Sequence, residues 1–249
     1  MASEQAFGTA EGSLARGALA AIGAASFALL AAAPLATRAL GLGPFYAAKV
    51  LAGFAAAALL VVACLPAHRP FTRFGPANLV TLARVAAVAL LAGLVGEGGA
   101  PELAAFACAV GALVVLLDAV DGRLARATAM ASPFGARFDL ETDAALVMVL
   151  AVLAWQLDRA GLWVLASGLA RYVFVAAGRV RPWLRRPLEP SFRRKTAAAV
   201  QMGALVIALA PGLARPASAF VAAVALALLG ASFAIDIRRL QRRAEEDSR

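Results

Sequence analysis

The chain has 249 residues, 62% of them hydrophobic, with a mean hydropathy of +0.80 and 16% charged residues, against roughly 25% charged in an ordinary soluble domain. A water-soluble fold would have to bury nearly all of this apolar surface inside a chain too small to cover it, so composition excludes a soluble globule. The net charge is +9, but the basic residues gather at the ends of apolar runs. That placement fits membrane topology and anionic lipid, and no basic soluble module is present to carry nucleic acid.

In chain order, eight hydrophobic segments are predicted, mostly blocks of about 18 to 22 residues, the length that crosses a hydrocarbon core of about 30 Å. The first runs over about Leu14–Leu35 and the second over Phe45–Leu65. Arg16, the apolar run and "AAAPLATRA" also resemble a signal peptide with a cleavage site. The run exceeds the usual signal length and the topology works with it retained, so it is read as a span. The connector "PAHRPFTRFGP", Pro66–Pro76, is read as interfacial, and its lone His68 as an interfacial side chain rather than a ligand. Six further segments follow: about Asn78–Val95, Glu102–Ala125, Phe134–Gln156, Leu162–Gly178, Thr196–Ala210 and Ala217–Ile237. Alanine and glycine dominate them, and small residues let membrane helices approach closely. Cys64 and Cys108 lack CxxC or Cys/His neighbours and are read as apolar packing residues.

With eight spans, Arg69 and Arg73, the basic run from Arg179 to Lys195 and the arginines of the tail all fall on one side, together with Arg16 and the 123–137 region. The positive-inside rule then places both termini in the cytoplasm. The expected organisation is an N-terminal transmembrane hairpin of unknown role over residues 1–68, a six-span domain over 69–240 and a charged tail over 241–249.

The stretch from Leu116 to Met148 places four aspartates where a span should be. Each costs about 2.5–3.5 kcal/mol within a membrane, so something must compensate. Asp118 and Asp121 are i and i+3 on one predicted helix, and Gly122 and Ala125 continue their stripe. Gly135, Asp139 and Asp143 are i, i+4 and i+8 on the next. The turn between them is short, so the two helices are antiparallel neighbours whose stripes can face each other. Four converging carboxylates suit hard divalent cations such as Mg²⁺ or Mn²⁺, and two such cations would neutralise them. A two-metal site is a template for displacement at phosphorus. Spacing alone leaves a cation or proton transporter equally open, because intramembrane carboxylates also mark transport paths.

The pattern Asp118-x2-Asp121-Gly122-x2-Ala125-Arg126-x8-Gly135-x3-Asp139-x3-Asp143 resembles the signature of the CDP-alcohol phosphotransferase family at all eight fixed positions. "GPANLVTLARVAAV", Gly75–Val88, resembles the family's opening helix, with Pro76, Asn78, Thr81 and Arg84 in order, and "RRKTAAAVQ", Arg193–Gln201, loosely resembles a later Lys-Thr…Gln stretch. The resemblance covers about Pro70 to Arg239. It implies an all-α integral membrane protein, a six-helix bundle of that family's type with two additional N-terminal transmembrane helices. It implies transfer of a phosphatidyl or related phospho-alcohol group from a CDP-linked donor to an alcohol, with release of CMP, by a homodimer whose site lies in the membrane near the cytoplasmic surface; the expected location is the bacterial inner membrane. By the same resemblance, Asp118, Asp121, Asp139 and Asp143 surround two divalent metals, with Asp143 as general base. Gly122, Ala125, Arg126 and Gly135 map to the CDP-binding wall, with Asn78 and Thr81 beside them.

The acceptor is less legible. Arg171, Arg194 and Lys195 are candidates for holding an acceptor phosphate, as in glycerol 3-phosphate or inositol phosphate. A basic rim there equally suits anionic lipid or the positive-inside rule alone. The spacing of the Lys-Thr…Gln stretch departs from the glycerophosphate-using pattern, and the alternative within the class is a phosphatidylinositol-phosphate-like or phosphatidylserine-like synthase.

Overall fold

The structure is a computed structural model that describes residues 2–247 except 69, 99–100, 129, 187 and 190; the side chains of residues 2–11, 125 and 126 also lie outside the described residues. Among the described residues every regular element is helical. The α-helices are α1 (Ala2–Leu40), α2 (Tyr46–Cys64), α3 (Pro76–Gly93), α4 (Pro101–Ala127), α5 (Pro133–Gln156), α6 (Leu165–Val180), α7 (Phe192–Ala208) and α8 (Arg215–Glu246). Short 3-10 turns cover Leu65–His68, Leu162–Val164 and Pro182–Arg185. The eight expected segments are therefore eight helices, although α1 runs well past Leu35 and contains Pro34.

Residues Gly12–Leu40, Tyr46–His68, Pro76–Gly93, Pro101–Leu124, Leu162–Val180 and Arg215–Glu246 are long and apolar enough to cross a membrane. The remaining two helices fall short for physical reasons. The first half of α5 carries Arg137, Asp139, Glu141 and Asp143, and α7 has only 17 residues. Large apolar side chains point outward along the helices, including Phe27 (76% exposed), Leu59 (72%) and Phe220 (70%). Water would penalise that surface heavily, whereas lipid does not. The chain is an all-α integral membrane protein.

It divides into two compact units, Met1–Asp143 and Ala144–Arg249. In the first, α1 and α2 pack on each other and on α3, and α3 packs along α4. Gly41, at φ +61°, ends α1, and Leu42 N–H reaches back to Thr37 O at 3.0 Å, a Schellman closure that reverses the chain into α2. A side chain at Gly93 would place its Cβ 2.5 Å from Val50 Cγ2 and 2.8 Å from the Tyr46 ring, so glycine permits the α2–α3 contact. Tyr46 Oη donates to Leu90 O at 3.0 Å. Lys49 Nζ donates to Glu97 Oε1 at 2.5 Å, and Glu97 Oε2 accepts the Gly43 N–H at 2.7 Å, joining the α1–α2 turn to the α3–α4 loop. The lysine and that amide hold the Glu97 carboxyl below the usual range for its type.

In the second unit α7 packs along α8. Gly168 lets α6 approach α5 so closely that a Cβ there would lie 2.7 Å from the Met148 Cα. Arg159 Nη1 donates to Leu213 O at 2.6 Å and Ser218 Oγ donates to Arg159 O at 2.6 Å, closing one end of this unit. At Arg193 the guanidinium donates to Ser232 O at 2.5 Å and pairs with Asp236, which is buried on α8. Cys64 is exposed, contrary to its expected packing role, because it lies on the outward side of the last turn of α2.

Candidate active site

Helix α3 supplies the floor of the site. It is the most buried of the candidate spans, and its buried face carries Asn78, Thr81 and Arg84 in addition to apolar residues. These three are spaced i, i+3, i+6 and so lie along one side of the helix. Gly75, at φ +83°, turns the chain, and Pro76 opens the helix at a position where no N–H is needed. Asn78 Nδ2 donates to Phe74 O at 2.5 Å, fixing its amide against that turn.

The four aspartates converge, and they converge on Arg84. Its Nη1 lies 2.6 Å from Asp121 Oδ2 and 2.5 Å from Asp139 Oδ1. Its Nη2 lies 2.9 Å from Asp118 Oδ1 and pairs also with Asp143 Oδ1. Three of the four aspartates, Asp121, Asp139 and Asp143, accept hydrogen bonds from these two nitrogens, and Asp118 is ion-paired beside them. Thr81 Oγ1 lies 3.2 Å from Asp121 Oδ2 and 3.1 Å from Ala77 O, and its one hydrogen can go to either. The arginine is wholly buried, while Asp118, Asp139 and Asp143 remain partly exposed. Arg84 Nε has no hydrogen-bond partner among the described residues.

The sequence placed the four carboxylates together but assigned their neutralisation to cations alone. An internal cation on a third helix takes part of that role. The available signal was an arginine within an apolar segment, two turns from Asn78, which needs a partner as much as the aspartates do. One guanidinium against four ionised carboxylates still leaves a net charge of three. Asp118, Asp121 and Asp139 each present an oxygen within 4.8 Å of the others, a grouping that can hold a metal ion. An all-oxygen, multiply anionic donor set, partly exposed at Asp118 and Asp139, fits a hard divalent cation.

The other expected residues fall as follows. Gly135 is half-buried, and a Cβ there would lie 3.1 Å from Asn78 Oδ1, so those two candidates are neighbours. Gly122 is half-buried on α4. The side chains of Ala125 and Arg126 lie outside the described residues. The acceptor candidates belong to the second unit. Arg171 is half-buried on α6 and Lys195 is exposed on α7. Arg194 is bonded to Glu189 O and lies 3.4 Å from Asp236 Oδ1, so part of its charge is already matched. Asp236 had not been singled out in the sequence, because one carboxylate near a basic tail carries no pattern.

His68 corrects the sequence reading outright. It is not an interfacial side chain but fully buried, with both ring nitrogens bonded, to Ser132 Oγ at 2.7 Å and to Arg73 O at 3.0 Å. A lone histidine in a connector gives no spacing from which such partners, 5 and 64 positions away, can be read.

Fold and site together define a membrane protein with an acidic centre suited to divalent cations and phosphate chemistry. The family model for CDP-alcohol phosphatidyltransferase matches residues 74–233. The chain belongs to the CDP-alcohol phosphatidyltransferase family, and is a membrane transferase that moves a phosphatidyl group from a CDP-alcohol. Searches of curated proteins and of solved structures gave no match.

Proposed function

We propose that the chain transfers the phosphatidyl, or a related phospho-alcohol, group of a donor such as CDP-diacylglycerol to an alcohol acceptor and releases CMP, at the Asp118–Asp121–Asp139–Asp143 cluster. The observation that carries this reading is the convergence of all four carboxylates on one buried guanidinium, with three of them close enough to share an ion. Asp118, Asp121 and Asp139 would hold Mg²⁺ or Mn²⁺, which when bound supply charge stabilisation at the phosphates and the departing CMP. Two such ions match the net charge of three that Arg84 leaves, with one charge to spare for the donor's phosphates.

The chain's own residues account for the remaining chemistry. Asp143 accepts the acceptor hydroxyl proton as that oxygen forms its bond to the β-phosphorus. The bond between that phosphorus and the CMP oxygen breaks, and CMP leaves with the electron pair. Arg84 holds Asp143 and the other three carboxylates in place throughout. Gly122, Gly135, Asn78 and Thr81 form the side on which the CDP group rests, where glycine at 135 lets the Asn78 amide lie close against the start of α5. The active site and both termini face the cytoplasm of a bacterial inner membrane, in keeping with the basic residues on that side, and the protein acts as a homodimer. Arg171, Arg194 and Lys195 are the candidates for binding an acceptor phosphate.

The test is CMP release by the purified protein on mixing with CDP-diacylglycerol, Mn²⁺ and a panel of alcohols, with mass spectrometry of the lipid product. The expected result is CMP formed in step with one new phospholipid. Absence of CMP with every acceptor, alongside cation flux in vesicles, would instead identify a transporter.

A further inference from the structure

We propose that His68 is a positioning residue for the aspartate-bearing helix α5, and that through it the N-terminal hairpin sets the placement of Asp139 and Asp143. This rests on the reading that those aspartates carry the transfer. His68 closes the 3-10 turn that ends α2 and precedes the 74–233 segment that matches the family, so it belongs to the part of the chain whose role is otherwise unassigned.

With the imidazole neutral, the hydrogen bonds around it admit one direction. Arg73 O can only accept, so His68 Nε2, 3.0 Å away, carries the ring hydrogen. Nδ1 is then the acceptor, and takes the hydroxyl hydrogen of Ser132 at 2.7 Å. With its hydrogen so directed, Ser132 Oγ accepts the Gly135 N–H at 3.0 Å. That last bond is an N-cap: Ser132 precedes Pro133, the first residue of α5, and Gly135 is its third. The proton order therefore runs Gly135 to Ser132 to His68 to Arg73, and it locks the first turn of the helix that presents Asp139 one turn beyond Gly135 and Asp143 two turns beyond it.

Packing holds the same geometry. The His68 ring meets Phe71 at 5.3 Å and the edge of Phe134 at 5.5 Å between centroids, and Phe134 in turn meets Phe74 and Phe138. At the opposite end of α2, Tyr46 Oη donates to Leu90 O on α3 and Lys49 Nζ to Val95 O in the loop after it, so α2 is tied to that neighbour along its length. The hairpin, the opening helix and the first turn of α5 are thus one connected frame around the carboxylates.

The test uses the full chain in nanodiscs with three variants. His68→Phe keeps the ring packing and removes both bonds. His68→Asn keeps an acceptor near the Nδ1 position. Ser132→Ala removes the cap. Expected are a fall in kcat of about 5- to 10-fold for His68→Phe, the size of a lost cap, with the donor KM within about twofold, and partial recovery in His68→Asn. His68→Phe should cost little more when added to Ser132→Ala, because both break one chain of bonds. Wild-type kcat in His68→Phe, or losses that multiply in the double variant, overturns the proposal. If the wild-type protein releases no CMP, the transfer reading fails separately, and amide exchange decides this one. Faster exchange over residues 134–139 in both single variants, with α6 unchanged, supports the linkage, and unchanged exchange there refutes it.

Discussion

Arg84 on α3 and Asp143 on α5 are ion-paired across 59 positions of sequence, within a cluster where the same guanidinium serves three further aspartates. Removing the arginine leaves four carboxylates facing one another without an internal cation. Arg84→Met should therefore destabilise the metal-free protein by about 3–5 kcal/mol, the usual cost of stranding buried charge. Thermal unfolding in nanodiscs should show a large loss in chelator that Mn²⁺ largely reverses. Arg84→Lys should be intermediate, since an ammonium has three hydrogens for four acceptors.

The two roles proposed for the aspartates separate by measurement. Asp143→Asn should bind Mn²⁺ and CDP close to wild-type levels while kcat falls about 10²- to 10⁴-fold, the range of a lost general base. Asp121→Asn should lose Mn²⁺ affinity and turnover together. Titration of Mn²⁺ by electron paramagnetic resonance, alongside CMP release, checks both. Wild-type turnover in Asp143→Asn would remove it from the base role.

The close helix contacts at Gly93 and Gly168 have a direct consequence. An added methyl at Gly93 meets Val50 and the Tyr46 ring, and one at Gly168 meets the Met148 backbone. Gly93→Ala should destabilise by about 1–3 kcal/mol as side chains shift. Gly168→Ala should lie at the upper end of that range, because a Cα cannot rotate away. Chemical denaturation followed by tryptophan fluorescence measures both.

The Lys49–Glu97 pair gives a pH dependence. Glu97 titrates below its usual range in the folded protein, so its contribution to stability is present above the unfolded-state pKa of about 4.3 and is lost as pH falls through the lower folded value. The difference in Tm between wild type and Glu97→Gln should be constant near neutrality and shrink below about pH 4. A gap that widens on acidification would contradict the pairing.

How much of this was legible in the sequence follows from what each feature costs. Charged side chains in a greasy segment are expensive, so Asp118, Asp121, Asp139 and Asp143 announced themselves, and helical spacing put each pair on one face. The eight helices followed from apolar run length. Arg84 was visible only as one residue of the opening-helix pattern, because its partners lie 34 or more positions away and nothing local ties them to it. His68 was misread for the same reason. Its bonding depends on how a 3-10 turn presents it to Ser132, and chain spacing carries no information about that. The buried Asp236 and its arginines were hidden by the general basicity of the segments around them.

The distribution of hydrogens on Arg84 sets an order of events. Its terminal nitrogens already donate to Asp121, Asp139 and Asp143 and pair with Asp118, and its Nε is buried. Among the described residues, a diphosphate arriving at the bare cluster would meet acidic oxygens that already hold the terminal hydrogens of Arg84, so the encounter is repulsive. Nucleotide affinity should then be negligible in chelator and appear only once dications are supplied, a compulsory sequence of ion first and nucleotide second.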